Sequence, residues 1–450
     1  MLFNLFKKYL LFFFGILLLG FNVNAQDGFR LLNKSDLKES IKFKLVNNLI
    51  IVPLEINGKE LSFILDTGVN KTIIFNLSEN DSIGLLNTEK ILLRGLGGGD
   101  AVEAILSKNN NLKIKNLIGY NESVYVILKD FFDLSSKMGT TIHGIIGYNL
   151  LRNFVVKINY RTKRIHFYNP KKYQIKKCRR CEILPIQFHL KKPYIDVNIQ
   201  LDTVGYKLTK VKMLVDSGGS DAIWLFENSK KNIKTPKLFF NDILGEGLSG
   251  TIYGKRSRIP KLKIGKFEIE EPTVSFLDSA STRNARTFKQ RNGSIGGSVL
   301  KRFKVWLDYR NRKIMLKKNV SFKDGFNYNM SGLDVVYNGK QLVREKTTNK
   351  ILDSGNRDIN KNNTISFVTN FFYKFKPSYK IKTVILNSPA GKAGLKAGDI
   401  ILKINRKPAY SFTLSEIFYK FQEKNNKKIS ITIERNELVK TYKFRLRKRI

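Results

Sequence analysis

Cysteine is almost absent from this chain: Cys178 and Cys181 are the only two in 450 residues. Two thiols do not make a zinc site. In an exported chain, Cys178-Arg179-Arg180-Cys181 is expected to be a small local disulfide or a pair of free thiols. Histidine is nearly as scarce, with only His143, His166 and His189. None stands beside a Gly-x-Ser-x-Gly elbow, so a histidine-based nucleophilic triad has no support. No glycine-rich run carries a Walker lysine, which removes the phosphate-cradle reading. Neither a metal nor a cofactor is expected. Acidic residues are few: 37 Asp+Glu against 81 Lys+Arg leave a formal net charge of +44. That balance favours anionic partners, including loose association with an anionic membrane surface. The basic residues are spread along the whole chain, and dense patches are confined to residues 176–180 and 445–449. No nucleic-acid-binding module accompanies them, so nucleic acid is not an expected partner.

Long apolar runs are also missing beyond the N-terminus. There, Lys7 and Lys8 precede a short apolar stretch over residues 9–20, and Val23-Asn24-Ala25 presents a small residue before Gln26. This is the pattern of an export signal cut after Ala25, and the apolar stretch is short for a bilayer span. No cysteine follows it to carry a lipid. The mature protein is expected to be soluble and exported, periplasmic or secreted.

What the chain does have is an internal repeat with a period near 150 residues, suited to duplicated domains. The first copy carries Phe63-Ile64-Leu65-Asp66-Thr67-Gly68 and the second Met213-Leu214-Val215-Asp216-Ser217-Gly218. Each is an apolar strand ending in Asp, a hydroxyl residue and Gly. At matched distances follow Gly144-Ile145-Ile146-Gly147 and Gly293-Ser294-Ile295-Gly296, then residues 154–160 answered by 303–309, then the strand-like runs 164–168 and 313–317. Other short apolar or alternating runs, at 49–56, 112–117, 194–201 and 261–269, read as strands. Short helices are expected at 150–153 and 299–302.

Two carboxylates brought to either side of one water make a hydrolytic pair. Like charges in contact share a proton, so one member acts as base and the other as acid. Asp66 and Asp216 occupy equivalent places in the two copies. Thr67 and Ser217 can link the two loops by hydrogen bonds, and Gly68 and Gly218 admit close backbone. Over residues 40–320 the chain resembles the retropepsin-like and pepsin-like aspartic proteases, through Asp66-Thr67-Gly68 with Ile145-Ile146-Gly147 and Asp216-Ser217-Gly218 with Ser294-Ile295-Gly296. Tyr148 stands where the retroviral form carries Arg. The resemblance implies a mainly β fold, with two homologous β-barrel lobes related by a pseudo-two-fold, in which Ile146, Gly147, Ile295 and Gly296 complete the framework beneath the catalytic Asp66 and Asp216. It also implies a mobile hairpin over the substrate. Gly97, Gly98 and Gly99 suit its tip in the first copy, and Ser249 and Gly250 lie at the matching place in the second. Val69 and Gly219 replace the hydroxyl that many acid-active members place after the Gly, which implies activity nearer neutral pH. A third Asp-Ser-Gly, at 353–355, lacks the downstream partner and reads as a turn.

From about residue 321 the pattern changes. Ser388-Pro389-Ala390-Gly391-Lys392-Ala393-Gly394-Leu395, followed by Gly398-Asp399-Ile400-Ile401, resembles the core of bacterial PDZ domains, an α/β fold. A helix is expected at 414–424 and strands at 428–434 and 440–446. The resemblance places a glycine-bearing loop before the peptide-binding strand, and the stretch Phe375-Lys376-Pro377-Ser378-Tyr379 has no glycine there. The expected organisation is a signal at 1–25, protease lobes at 26–175 and 176–320, and a linker with the PDZ domain at 321–450. The expected partners are a protein or peptide substrate and a peptide ligand of the PDZ domain, with the chain acting as a monomer. An exported endopeptidase and a catalytically inactive binding or scaffold protein on the same fold are the two readings carried forward, with lobes pairing between chains as a third arrangement.

Overall fold

A computed structural model describes residues 28–33, 35–77, 83–93, 100–127, 133–175, 178–203, 206–247, 250–352 and 365–450. The signal expected at 1–25 and the Asp-Ser-Gly at 353–355 lie outside them. The fold is mainly β, in several sheets.

The two copies repeat one strand arrangement. In the first, Lys59–Leu65 runs parallel to Gly144–Ile146, with Leu65 opposite Ile146, and Gly144–Ile146 runs antiparallel to Thr72–Ile74. In the second, Leu208–Val215 runs parallel to Arg291–Ile295, with Val215 opposite Ile295, and Arg291–Ile295 runs antiparallel to Ile223–Phe226. The apolar residues before each Asp explain the placement. Phe63, Leu65, Met213 and Val215 are no more than 1% exposed, and full burial of such side chains stabilises by about 1.5–3 kcal/mol each. Each Asp is thus delivered at the end of a strand anchored on both faces.

A further sheet joins the copies. Val155–Asn159 pairs antiparallel with Phe303–Asp308, Lys157 opposite Trp306. Arg164–Tyr168 and Lys38–Lys42 extend it on one side, Lys313–Lys318 and Cys181–Pro185 on the other. The segments that answer one another in sequence therefore lie side by side. One apolar core, from Phe29 to Phe326, runs through both copies.

Several boundaries differ from the sequence reading. The run at 112–117 is a hairpin, with Ile114 opposite Leu117 and Lys115 at φ 50° in the turn. The run at 261–269 is another, Ile264 opposite Phe267 around Gly265. In both, apolar residues flank a two-residue turn at the spacing of one continuous strand, so periodicity alone does not separate them. The short helices begin earlier than expected, at Tyr148–Leu151 and Gly297–Leu300. Cys178 and Cys181 are disulfide-bonded.

The C-terminal module has its own core, from Tyr328 to Leu446. Helix Leu414–Lys420 starts at a Thr413–Glu416 capping box. It ends short of the expected 424 because the apolar stripe stops at Phe421 and Asn426 takes a left-handed turn conformation. The stretch 375–379 is a correction: it lies inside strand Ile365–Val384, paired with Leu333–Leu352. The strand at the edge of this sheet is Leu333–Leu352, and the glycine before it is Gly332, at φ +82°. Each of the two paired strands is 20 residues long, so the stretch read as a loop is interior to one of them.

Arg302 ties the second copy to the chain leading into this module. It is 1% exposed. Its guanidinium donates to the carbonyls of Ser298, Ser321, Phe322, Asp324 and Gly325 and lies over the Phe326 ring, 3.6 Å from its centroid. Arg302→Leu leaves these acceptors without their donor, and we expect a loss of about 3 kcal/mol or more in a urea unfolding titration.

Candidate active site

The ends of the two Asp-bearing strands meet. The Asp66 N–H donates to the Ile146 carbonyl at 2.8 Å, and the Asp216 N–H to the Ile295 carbonyl at 2.9 Å. Ile146 and Ile295 are buried, so each Asp loop is held by a strand that cannot shift without opening the core. Gly147 lies where a Cβ would sit 2.0 Å from the Asp66 carbonyl oxygen, and Gly296 where one would sit 2.3 Å from that of Asp221. No side chain fits beneath either loop.

Thr67 and Ser217 lock the loops together across the two copies. The Thr67 N–H donates to Ser217 Oγ and the Ser217 N–H to Thr67 Oγ1, each at 3.0 Å. The hydroxyls donate onward, Thr67 Oγ1 to the Val215 carbonyl at 2.6 Å and Ser217 Oγ to the Leu65 carbonyl at 2.7 Å. Both residues are 1% exposed. Each hydroxyl accepts one bond and donates another, and this buried reciprocal set fixes the carboxylates relative to each other.

The Asp66 carboxylate accepts from the Gly68 N–H at 2.6 Å, and Asp216 from the Gly218 N–H at 3.1 Å. The Oδ1 atoms of both lie within 3.3 Å of a single point, the position a Cβ would take on Gly68. Asp66 also covers Gly218, where a Cβ would fall 2.2 Å from its carboxyl carbon. Burial first, and then the charge of Asp216, pushes the Asp66 carboxyl up to about 7, against the pull of the Gly68 amide and Lys192. Burial pushes Asp216 up as well, opposed first by the Arg291 guanidinium and then by the Gly219 amide and Lys192. A pair of this kind titrates as a unit and holds one proton between its members.

Lys192 and Arg291 were not singled out by sequence reasoning. Burial and then Arg291 push the Lys192 ammonium down, while both aspartates pull it back up. Arg291 is 4% exposed in the strand that leads to Ile295, and its Nη2 makes no hydrogen bond among the described residues. Arg291 opens the polar run Arg291-Asn292-Gly293-Ser294 and had no legible signal. Lys192 had none among so many lysines. A second polar group lies just past the Asp216 loop. Asp221 accepts from Trp224 Nε1 at 2.8 Å, Ser275 Oγ at 2.9 Å and Arg256 at 3.0 Å, and Arg256 also pairs with Asp242 at 2.7 Å.

The hairpin candidates are only partly described. Thr88–Leu93 and Val102–Ile114 pair antiparallel up to Leu93 opposite Val102, and Gly97, Gly98 and Gly99 lie outside the described residues. In the second copy Phe240–Gly247 pairs with Gly250–Arg258, Gly247 opposite Gly250. Ser249 lies outside.

Two aspartates converging on one point, on loops cross-linked by hydroxyl residues, define the site type of an aspartic protease. Residues 52–150 match the family model described as aspartyl protease, and residues 380–435 match that of the PDZ domain. The chain thus carries an aspartyl protease-like domain and a PDZ domain. The protease match covers the first copy, and the equivalence of the Asp216 loop rests on the geometry above. Among curated proteins, none matches the chain.

Proposed function

We propose that this protein is an exported aspartic endopeptidase whose two copies form lobes about a pseudo-two-fold, with Asp66 and Asp216 as its catalytic pair. The observation that carries the reading is that both carboxylates close on the same two glycines: both Oδ1 atoms lie within 3.3 Å of the Cβ position of Gly68, and Asp66 stands over Gly218. The ionised member takes a proton from that water as it attacks the peptide carbonyl. The protonated member donates to the carbonyl oxygen. The gem-diol then collapses: one member passes its proton to the leaving amine, the other takes the proton of a gem-diol hydroxyl, and the pair again holds one proton. Thr67 and Ser217 position the pair, and the glycine-bearing hairpins cover the substrate. The PDZ domain binds extended peptide. Export follows from the N-terminal pattern, and N-terminal sequencing of the mature protein is expected to begin at Gln26.

The chain starting at Gln26 is expected to cleave peptides in a pepstatin-sensitive way. If it binds pepstatin but cleaves no member of a diverse peptide library at any pH between about 3 and 8, it is the catalytically inactive binding protein instead. Its pH profile follows from the raised carboxyls. The working form holds one proton on the pair. Because Asp66 titrates near 7, that proton survives well above the ordinary carboxylate range, and kcat/KM falls as pH rises through about 7. Because Asp216 is raised as well, the acid limb also moves up. A kcat/KM profile peaking below about pH 3 contradicts this.

A further inference from the structure

The two copies can be superimposed residue by residue around the dyad. In the first, Val46 pairs with Leu49 around a turn of Asn47 and Asn48, both at positive φ. In the second, His189 pairs with Lys192 around Leu190 and Lys191, also at positive φ. The next pairs agree, Ile51 opposite Ile64 and Tyr194 opposite Leu214, and continuing these registers by two residues brings Leu49 opposite Asp66 and Lys192 opposite Asp216. A third equivalence lies on the strand beneath each Asp loop. His143 Nδ1 accepts from the Ser62 N–H at 3.0 Å, and Asn292 Oδ1 from the Lys212 N–H at 2.9 Å. The residues one step earlier, Ile142 and Arg291, are therefore counterparts too.

The chemistry at these three places is opposite in the two copies. Leu49, Ile51 and Ile142 are no more than 6% exposed and share one apolar cluster. Lys192, Tyr194 and Arg291 stand in their places on the second side. Arg291 Nε donates to the Gly293 carbonyl at 3.3 Å, and the guanidinium lies 5.0 Å from the Phe226 ring centroid and faces the Tyr194 hydroxyl. These are neutral groups, since burial pushes the Tyr194 phenol up, and Nη2 has no partner among the described residues. A guanidinium is charged at any ordinary pH, and its burial is costly unless an anion faces it. The anions that face Arg291 are the pair itself, Asp216 ahead of Asp66. Burial raises both carboxyls. Against it Asp216 meets Arg291 first, whereas Asp66 meets the charge of Asp216, the Gly68 amide and Lys192. Lys192 draws on both carboxyls and does not sort them. The Tyr309 phenol, which also faces Asp66, is kept neutral by burial.

We infer that Arg291 sorts the roles within the pair: Asp216 is the ionised member that takes a proton from the water, and Asp66 is the protonated member that donates to the peptide carbonyl oxygen. The inference rests on the protease reading of the pair and deepens it by assigning each carboxyl its part. In the first step the water oxygen bonds to the carbonyl carbon, one water proton passes to Asp216, and the Asp66 proton passes to the carbonyl oxygen. In the second the C–N bond breaks, Asp216 gives its proton to the amine nitrogen, and Asp66 takes one from a gem-diol hydroxyl. The pair ends as it began. Arg291 acts through Asp216 and is a positioning residue.

The kcat/KM pH profile of Arg291→Met tests this. Its acid limb is expected to move up by about one pH unit or more, a loss of about tenfold at any pH on that limb. The alkaline limb, set by the proton on Asp66, moves less. Arg291→Lys keeps the charge and is expected to hold the acid limb near its wild-type place. A side chain that only packed the strand would lower kcat/KM alike at every pH when replaced by Met. That result, or the same limb shift in Met and Lys, overturns the inference. A second measurement needs neither cleavage nor an Arg291 variant. The 13Cγ resonance of Asp66 is titrated in Asp216→Asn, and that of Asp216 in Asp66→Asn, each identified by its absence from the doubly substituted chain. Asp216 is expected to titrate at least about one unit below Asp66. Equal or reversed values overturn the assignment, whether or not the chain is a protease. If the order holds and the wild type cleaves no peptide, the sorting by Arg291 stands and the protease reading alone has failed.

Discussion

Asp66→Asn and Asp216→Asn are each expected to reduce kcat for peptide cleavage by about a thousandfold or more, because one residue of the pair can no longer exchange the proton that the reaction passes back and forth. An amide keeps the shape and the contact with the loop amides, so both variants should fold. Their circular dichroism should match the wild type while product formation disappears. The same change has a signature in stability that activity does not share. Asp66 titrates near 7 when folded, far above an unfolded carboxyl, so the folded chain binds this proton more tightly. The resulting stabilisation is complete below the unfolded value of about 4 and is lost as pH rises through the folded one. Asn has no such titration. The stability of Asp66→Asn relative to wild type should therefore rise by a few kcal/mol between about pH 4 and pH 8, read from urea unfolding at the two pH values. A flat difference would show that the carboxyl is not held protonated in the folded chain.

Gly218→Ala is expected to cost about a hundredfold or more in kcat without touching either carboxylate chemically. The added methyl would lie 2.2 Å from the Asp66 carboxyl carbon, and the atom it meets belongs to the catalytic group itself. Asp66 must swing away or the Asp216 loop must retreat, and a displacement of about 1 Å at a reacting centre has effects of this size. The hydroxyl lock between Thr67 and Ser217 limits the retreat, so the displacement falls on the carboxyl. Pepstatin affinity should fall with kcat. A Gly218→Ala chain with wild-type kcat would mean that Asp66 does not stand over this loop.

Much of the site could be read from residues alone because the chain states it twice. The Asp-hydroxyl-Gly tripeptides, their apolar leads and their downstream Ile-Gly partners recur in the same order, and in the structure they pair in the same registers, Leu65 opposite Ile146 and Val215 opposite Ile295. Lys192 and Arg291 could not be read this way, since a cation reaches a carboxylate through the fold and leaves no pattern along the chain. The stretch 375–379 was misread for a related reason. It lies in a 20-residue strand paired in space with Leu333–Leu352, and order along the chain does not reveal that pairing.

By itself, the sequence determined which runs are strand-forming, though not where each ends, and that two equivalent Asp loops exist. These follow from local pattern, since burial of alternating or continuous apolar runs is decided by neighbours within a few positions. Only the tertiary structure decided that the two loops meet, how their charge is balanced by Lys192 and Arg291, and that residues of the C-terminal module and Gly218 and Gly219 line one cavity. Those depend on contacts between residues that are not neighbours in the chain, whose energy comes from packing and electrostatics in three dimensions.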